Sequence, residues 1–231
     1  FYTPHEVSVL MSEIIAHHLK DQEEIKIYDP TSGSGSLLIN IGSSVAKHVN
    51  DENKIKYYAQ ELKENTYNLT RMNLVMRGIL PANIVARNAD TLEDDWPYFD
   101  DNDPINTYEP LYVDAVVSNP PYSQAWDPAN KESDPRYSRF GLAPKTNANY
   151  AWLQHMISKL SQNGKMACIL ANGSLSVGGQ EGWGAGQNFG TLQAKMSNKF
   201  NSIEEIKQAE DRLQFNEETK ELVDGYSEKI Y

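Results

Sequence analysis

Apolar residues recur along the chain with two alternating spacings, one suited to strands and one to helices. The first helical stretch opens at Thr3, which can cap, with Pro4 at the favoured first position and Glu6 completing a Thr-x-x-Glu capping box. Val7, Leu10, Ile14 and, one turn on, Leu19 form an apolar stripe expected to face the core. Ile25 to Asp29 reads as a short strand, and a helix follows through Leu37, Leu38, Ile41 and Val45. The unit then repeats. Ile55 to Gln60 is a strand ending at Glu61, and Asn65 to Met76 is a helix closed by Gly78. Asn83 to Ala86 is a third strand with Asp90 just past its end, and Val113 to Val117 is a fourth, ending at Ser118-Asn119. A loop rich in Pro, Ser, Asp and Arg spans about 123 to 146, before a helix from Tyr150 to Leu160 and a strand from Met166 to Leu170.

Strands alternating with helices predict an α/β fold, a doubly wound and mainly parallel sheet. Ligands of such sheets sit outside the carboxyl ends of the strands. The polar punctuation falls at those ends: Asp29, Glu61, Asp90 and Asn119. On this reading residues 1–182 make one catalytic domain whose final strands are not recognisable. Residues 183–231 read as a glycine-rich linker and a polar helical tail, with a helix candidate from Ser202 to Leu213.

Three strand ends carry candidate chemistry. Asp29-Pro30-Thr31-Ser32-Gly33-Ser34-Gly35 lies between a strand and a helix. Its glycines allow close backbone approach, and the helix start offers free N–H groups. The spacing is neither Gly-x-Gly-x-x-Gly nor a P-loop, and Asp29 would repel a phosphate but could hold an ammonium group. Glu61 could accept both hydroxyls of a ribose, or could be a surface carboxylate at a helix start. Asp90 could take an adenine amino group, or simply cap a turn. In Asn119-Pro120-Pro121-Tyr122 the prolines stop the ladder, so that the Asn119 side-chain oxygen and the Pro120 carbonyl can act as paired acceptors. Such a pair suits an NH2 group delocalised into a ring or carbonyl, and an amine so held can attack a methyl sulfonium in line. Tyr122 offers a face for stacking a planar base. In isolation the motif could equally be a polyproline turn.

Charge changes this picture. Lys and Arg total 21 against 32 Asp and Glu, a net charge of −11, which argues against tight autonomous binding to DNA. Glu93, Asp94, Asp95, Asp100, Asp101 and Asp103 crowd one segment expected to be a solvated loop. Lys131, Arg136, Arg139 and Lys145 in the 123–146 loop are the candidate DNA contacts. The single Cys168 is expected to be inert core, His155 a packed helix residue, and no Cys/His cluster has zinc spacing, so no metal is expected. The lone cysteine makes a reducing cytoplasm the default location, and no apolar run approaches the ~18 residues that cross a bilayer. The chain starts at Phe1 rather than Met, which reads as a piece of a longer protein.

The ordered set Phe1-Tyr2-Thr3-Pro4, Asp29 to Gly35, Glu61 and Asn119 to Tyr122 resembles the amino-methyltransferases. Within them it is most similar to the modification subunit of type I restriction-modification systems, a likeness that extends to Asn65–Asn73 and Pro144–His155 and covers about residues 1 to 182. The resemblance implies a Rossmann-like fold, S-adenosyl-L-methionine as cofactor and N6-methyladenine in DNA as product. It also implies partners: DNA, a specificity subunit that reads it, a second modification subunit and, as a further candidate, a restriction subunit. Carried over, Tyr2, Thr3 and Pro4 flank the methionine part of the cofactor, and Asp29, Thr31, Gly33, Ser34 and Gly35 line its amino-acid end. Glu61 takes the ribose, Asp90 faces the cofactor adenine, and Asn119 to Tyr122 hold the flipped base. The competing readings are transfer to a protein glutamine or an RNA base amine, and a non-catalytic cofactor-binding scaffold.

Overall fold

The computed structural model describes residues 3–19, 22–49, 51–98, 109–122, 124–138, 140–170, 213–216 and 221–224. Five parallel strands form the central sheet: β1 (Ile25–Asp29), β2 (Ile55–Glu61), β3 (Ile84–Asn88), β6 (Val113–Ser118) and β7 (Leu160–Cys168). Their order is β3-β2-β1-β6-β7. The chain winds outward from β1 through β2 to β3, then returns to add β6 and β7 on the opposite side. The sheet therefore reverses between β1 and β6, and a crevice at such a reversal is where α/β sheets take ligands.

Helices α1 (His5–Leu19), α2 (Ser36–Ala46) and α3 (Glu64–Met76) contribute to one core, against Ile25, Ile27, Ile55 and Ala115 of the strands. The second core gathers Tyr28, Val113 and Val116 with α4 (Asn149–Ser158) and the loop before it. Every residue of α4 from Tyr150 to Met156 is buried, because loop packs over the side that does not meet the sheet. Central β1 is buried along nearly its whole length, as a strand covered on both faces must be.

Several boundaries differ from the sequence reading. Strand β3 starts one residue later and runs to Asn88, and β7 begins at Leu160, where the helix was expected to end. The extra length of β7 includes Gly164, at which a Cβ would come 2.9 Å from the Val113 carbonyl oxygen. Only a glycine lets the strand pass that close. Pairing with β6 shifts register between Val113 and Ala115 at the same place.

The expected core face of α1 is corrected. Val7, Leu10 and Ile14 are 39%, 61% and 52% exposed, and of the predicted stripe only Leu19 is buried. The inward face is Ser8, Met11, Ser12, Ile15, Ala16 and Leu19. Small residues let α1 approach α2, and their hydroxyls are satisfied: Ser12 donates to the Ser8 carbonyl (2.7 Å) and Asn40 of α2 to the Ser8 hydroxyl (2.7 Å). On α2, Ser44 donates to Glu13 (2.8 Å).

Two short antiparallel pairs stand outside the main sheet. One joins β4 (Pro97–Tyr98) to β5 (Glu109–Pro110), and the other joins β8 (Leu213–Asn216) to β9 (Glu221–Asp224). The second lies in the segment expected to be a linker and polar helical tail, so at 213–216 and 221–224 an antiparallel strand pair stands in place of the helical expectation. The helix candidate itself, apart from Leu213, falls outside the described residues. Among the described residues no helix is long and apolar enough to cross a membrane.

Candidate active site

The strand ends converge on two adjoining hollows. The larger, about 820 Å3, is lined by Glu61, Asp90, Asn119, Pro120, Pro121, Tyr122, Trp126 and Lys145 among others. The smaller, about 260 Å3, is lined by Thr3, Asp29, Ser32, Ser34, Ser36 and Leu37. Thr31, Gly33, Thr66 and Asn119 line both and form the shared wall. Of the expected site residues, Tyr2 lies outside the described residues; Thr3 borders the smaller hollow.

The loop from Asp29 to Gly35 is shaped by its glycines. Gly33 and Gly35 have φ of 56° and 79°, a region that other residues enter only at a cost. Helix α2 starts directly after Gly35. Thr31 N–H donates to Asp29 Oδ1 (2.9 Å), and the hydroxyls of Thr31 and Ser118 lie 2.8 Å apart, which ties the loop to the end of β6. From α3, Thr70 donates to the Gly33 carbonyl (2.6 Å) and Asn73 Nδ2 to the Ser34 carbonyl (2.8 Å). The sequence reading passed over these two supports. Thr70 and Leu74 are the buried residues of this otherwise polar helix.

Asp29 is 1% exposed. Burial pushes its carboxyl up to about 7, and the Glu61 charge adds to this, against the Thr31 N–H bond that favours the carboxylate. A buried acid beside a small polar hollow, on a loop whose glycines keep the backbone open, fits a cationic amine with a carboxylate on the helix N-terminus. Glu61 Oε2 accepts the Gly33 N–H (3.0 Å) and Oε1 the Lys63 N–H (3.0 Å), so backbone amides hold both oxygens where the residue lines the larger hollow. Asp90 Oδ1 accepts the Leu92 N–H (3.0 Å) and caps a turn, and the residue lines the larger cleft.

At the end of β6, Asn119 Nδ2 donates to Thr3 Oγ1 (3.1 Å). With Nδ2 committed there, Oδ1 is left as the acceptor, and it takes the Tyr122 hydroxyl proton (2.8 Å). Oδ1 retains a second lone pair. Pro120 is buried, Tyr122 is 37% exposed at the cleft, and the described peptide bonds are all trans. Nearby Cys168 has its thiol pushed up to about 12 by burial, which keeps it protonated and unreactive.

Two of the candidate DNA contacts have other partners. Arg136 is 3% exposed and bound to Asp134, Thr91 and Leu92, while Lys131 pairs with Glu93 (2.7 Å). Lys145 is exposed at the cleft, and Arg139 falls outside the described residues. Of the acidic run, Glu93 and Asp94 are exposed as expected, Asp95 pairs with the buried Lys159, and Asp100, Asp101 and Asp103 fall outside the described residues. His155 is a fully buried helix residue, as expected. Among the described residues no group of His, Cys, Asp and Glu could hold a metal ion.

With this geometry in place, comparison with known proteins supplies the family. A model of the N-6 DNA methylases matches residues 1–183. The chain belongs to that family. The type I restriction enzyme MpnII methylase subunit of Mycoplasma pneumoniae is 36% identical over 186 residues, covering 78% of this chain and 33% of that one. The HindI methylase subunit of Haemophilus influenzae is 33% identical over 181 residues, covering 76% and 36%. Among solved structures, a type I restriction-modification methyltransferase subunit from Streptococcus thermophilus is similar at a TM-score of 0.69 and 41% identity, over 79% of this chain and 37% of that chain. The chain thus spans about a third of the length of these relatives. The sheet order and these likenesses agree on a Rossmann-like methyltransferase fold, the architecture that the alternating pattern predicts.

Proposed function

We propose that this chain is the catalytic part of an S-adenosylmethionine-dependent DNA methyltransferase acting on adenine N6, within the modification subunit of a type I restriction-modification system. One observation carries the reading: Asn119 lies in the wall between a small hollow suited to an amino-acid zwitterion and a larger cleft suited to planar rings. Asp29 and the loop to Gly35 hold the amino-acid end, Thr3 and Pro4 flank it, Glu61 takes the ribose, and Asp90 the cofactor's adenine. When bound, the cofactor supplies an electrophilic methyl group.

The chain's own residues position the amine. Thr3 fixes the Asn119 amide so that Oδ1 and the Pro120 carbonyl can accept the two N–H bonds of an exocyclic amine. Two acceptors on one NH2 draw its lone pair out of the ring and direct it toward the small hollow. Tyr122 gives its ring as a stacking face, and its hydroxyl keeps Oδ1 occupied until the amine arrives. Positioning and electrostatics supply the acceleration, with no strong base near the amine. The acidic balance of the chain supports a grip on DNA by a sequence-reading partner, with a second modification subunit completing the complex.

The test is transfer of labelled methyl to DNA by the full-length chain with its specificity subunit. Asn119→Ala should keep S-adenosylmethionine affinity within about threefold and reduce transfer by ~10²-fold or more, since it removes a preorganised acceptor. Label in protein or RNA alone, or turnover retained by Asn119→Ala, overturns the reading.

A further inference from the structure

Behind the cleft, on the side of the sheet that carries α4, polar side chains are buried in an unbroken chain. Arg136 comes from the loop that follows Tyr122 and is closed against Asp134 through Nε (3.1 Å) and Nη2 (2.8 Å). Its remaining protons cross to another loop. Nη1 donates to the Thr91 carbonyl (2.8 Å) and Nη2 to the Leu92 carbonyl (3.1 Å), the two residues directly after Asp90. Nη1 also lies 3.2 Å from His155 Nδ1. Because a guanidinium only donates, Nδ1 must accept, which places the imidazole proton on Nε2. His155 Nε2 then donates to the Tyr28 hydroxyl (3.0 Å), Tyr28 to Gln60 Oε1 (3.0 Å), and Gln60 Nε2 to the Asp94 carbonyl (3.1 Å). From Arg136 through His155, Tyr28 and Gln60 to the Asp94 carbonyl each donor points the same way, from the loop after Tyr122 to the turn after Asp90.

That turn is bound in its other direction to the glycine loop, because Thr91 Oγ1 donates to the Pro30 carbonyl (2.7 Å). Nearer the surface, Lys131 and Glu93 form a second strap between the same two loops. One loop gives the cleft Asp90 to Glu93, and the other gives it Trp126 and Lys145.

We propose that Arg136 is a positioning residue that fastens the cofactor side of the cleft to its acceptor side, so that the two walls hold their ligands as one unit. This rests on the assignment of the cleft given under Proposed function. Arg136 touches neither ligand; it acts through Thr91 and Leu92 on one wall and through its own loop on the other. A lysine keeps the charge, but one ammonium group cannot span Asp134, two carbonyls and the His155 ring.

The experiment uses the full-length chain with its specificity subunit, measuring S-adenosylmethionine Kd by calorimetry and the KM for DNA in methyl transfer. For Arg136→Lys both constants should rise together by about tenfold, the cost of roughly one charged hydrogen bond, with kcat per titrated site changed little. A merely structural role would lower the number of titratable sites and leave Kd and KM of the remaining sites unchanged, which overturns the proposal. If Arg136→Lys does not fold, Lys131→Met cuts the outer strap, and both constants should rise in parallel by about threefold. A rise in one alone, or in neither, overturns it. Wild type that binds no S-adenosylmethionine refutes the cleft assignment itself, whereas normal binding by both wild type and Arg136→Lys refutes only the fastening.

Discussion

At the scale of single residues, Asp29 is an acid placed where it is hard to ionise. Burial raises it to about 7, and Glu61 adds repulsion. A cationic amine in the small hollow would need the carboxylate, so binding and deprotonation are linked. Below about pH 7 the empty site must first lose a proton, and S-adenosylmethionine affinity should fall by up to about tenfold per pH unit. The same shift acts on stability with a definite sign. The folded carboxyl holds its proton up to about 7 and the unfolded one only to the ordinary carboxylate range, so the ligand-free protein loses stability as pH rises through that window. His155 works the other way: burial lowers its pKa, so its neutral form contributes stability that is lost as pH falls below the ordinary histidine value. Calorimetry at about pH 6, 7 and 8 on wild type and Asp29→Asn isolates the first effect. An equally flat affinity in both proteins would remove Asp29 from the amine site.

At the scale of elements, helix α3 holds the glycine loop from behind and also gives Thr66 to the wall of both hollows. Thr70 is wholly buried and its hydroxyl serves both the Gly33 carbonyl and the Ser32 hydroxyl. Thr70→Val keeps the shape but leaves the Gly33 carbonyl without its donor and the Ser32 hydroxyl without its acceptor, so denaturation should show a loss of about 1–3 kcal/mol together with weaker S-adenosylmethionine binding. Stability lost without any change in affinity would mean that the loop keeps its form unaided. What the sequence made legible follows the same division. The ends of β1 and β6 and the glycine loop are set by local chemistry, Gly and Pro at positions that stop a strand, and with the end of β2 they lie where the pattern put them. The face of α1 was not legible, because large apolar residues marked the exposed side while the contact with α2 uses serines and Ala16. Nor could a charged residue in a Pro- and Asp-rich loop reveal that Arg136 turns inward, since its partners are backbone carbonyls 44 and 45 positions away.

At the scale of the whole molecule, the proposed DNA substrate sets a polyanion against a chain of net charge −11. The structure takes Arg136 and Lys131 out of the set of candidate phosphate contacts, while Lys63 and Lys145 stand exposed at the cleft. Each phosphate neutralised by a lysine releases about one condensed counterion, so the slope of log affinity against log salt counts such contacts. In the proposed complex with a specificity subunit, Lys145→Ala should make that slope shallower by about one and weaken all DNA sequences alike. Lys131→Ala should leave the slope as it is, because its charge is spent on Glu93. The full-length chain without its partner should bind DNA weakly and with a shallow slope. A steep slope for the chain alone, or one that Lys131→Ala changes as much as Lys145→Ala does, would put the grip on DNA back into the loop after Tyr122.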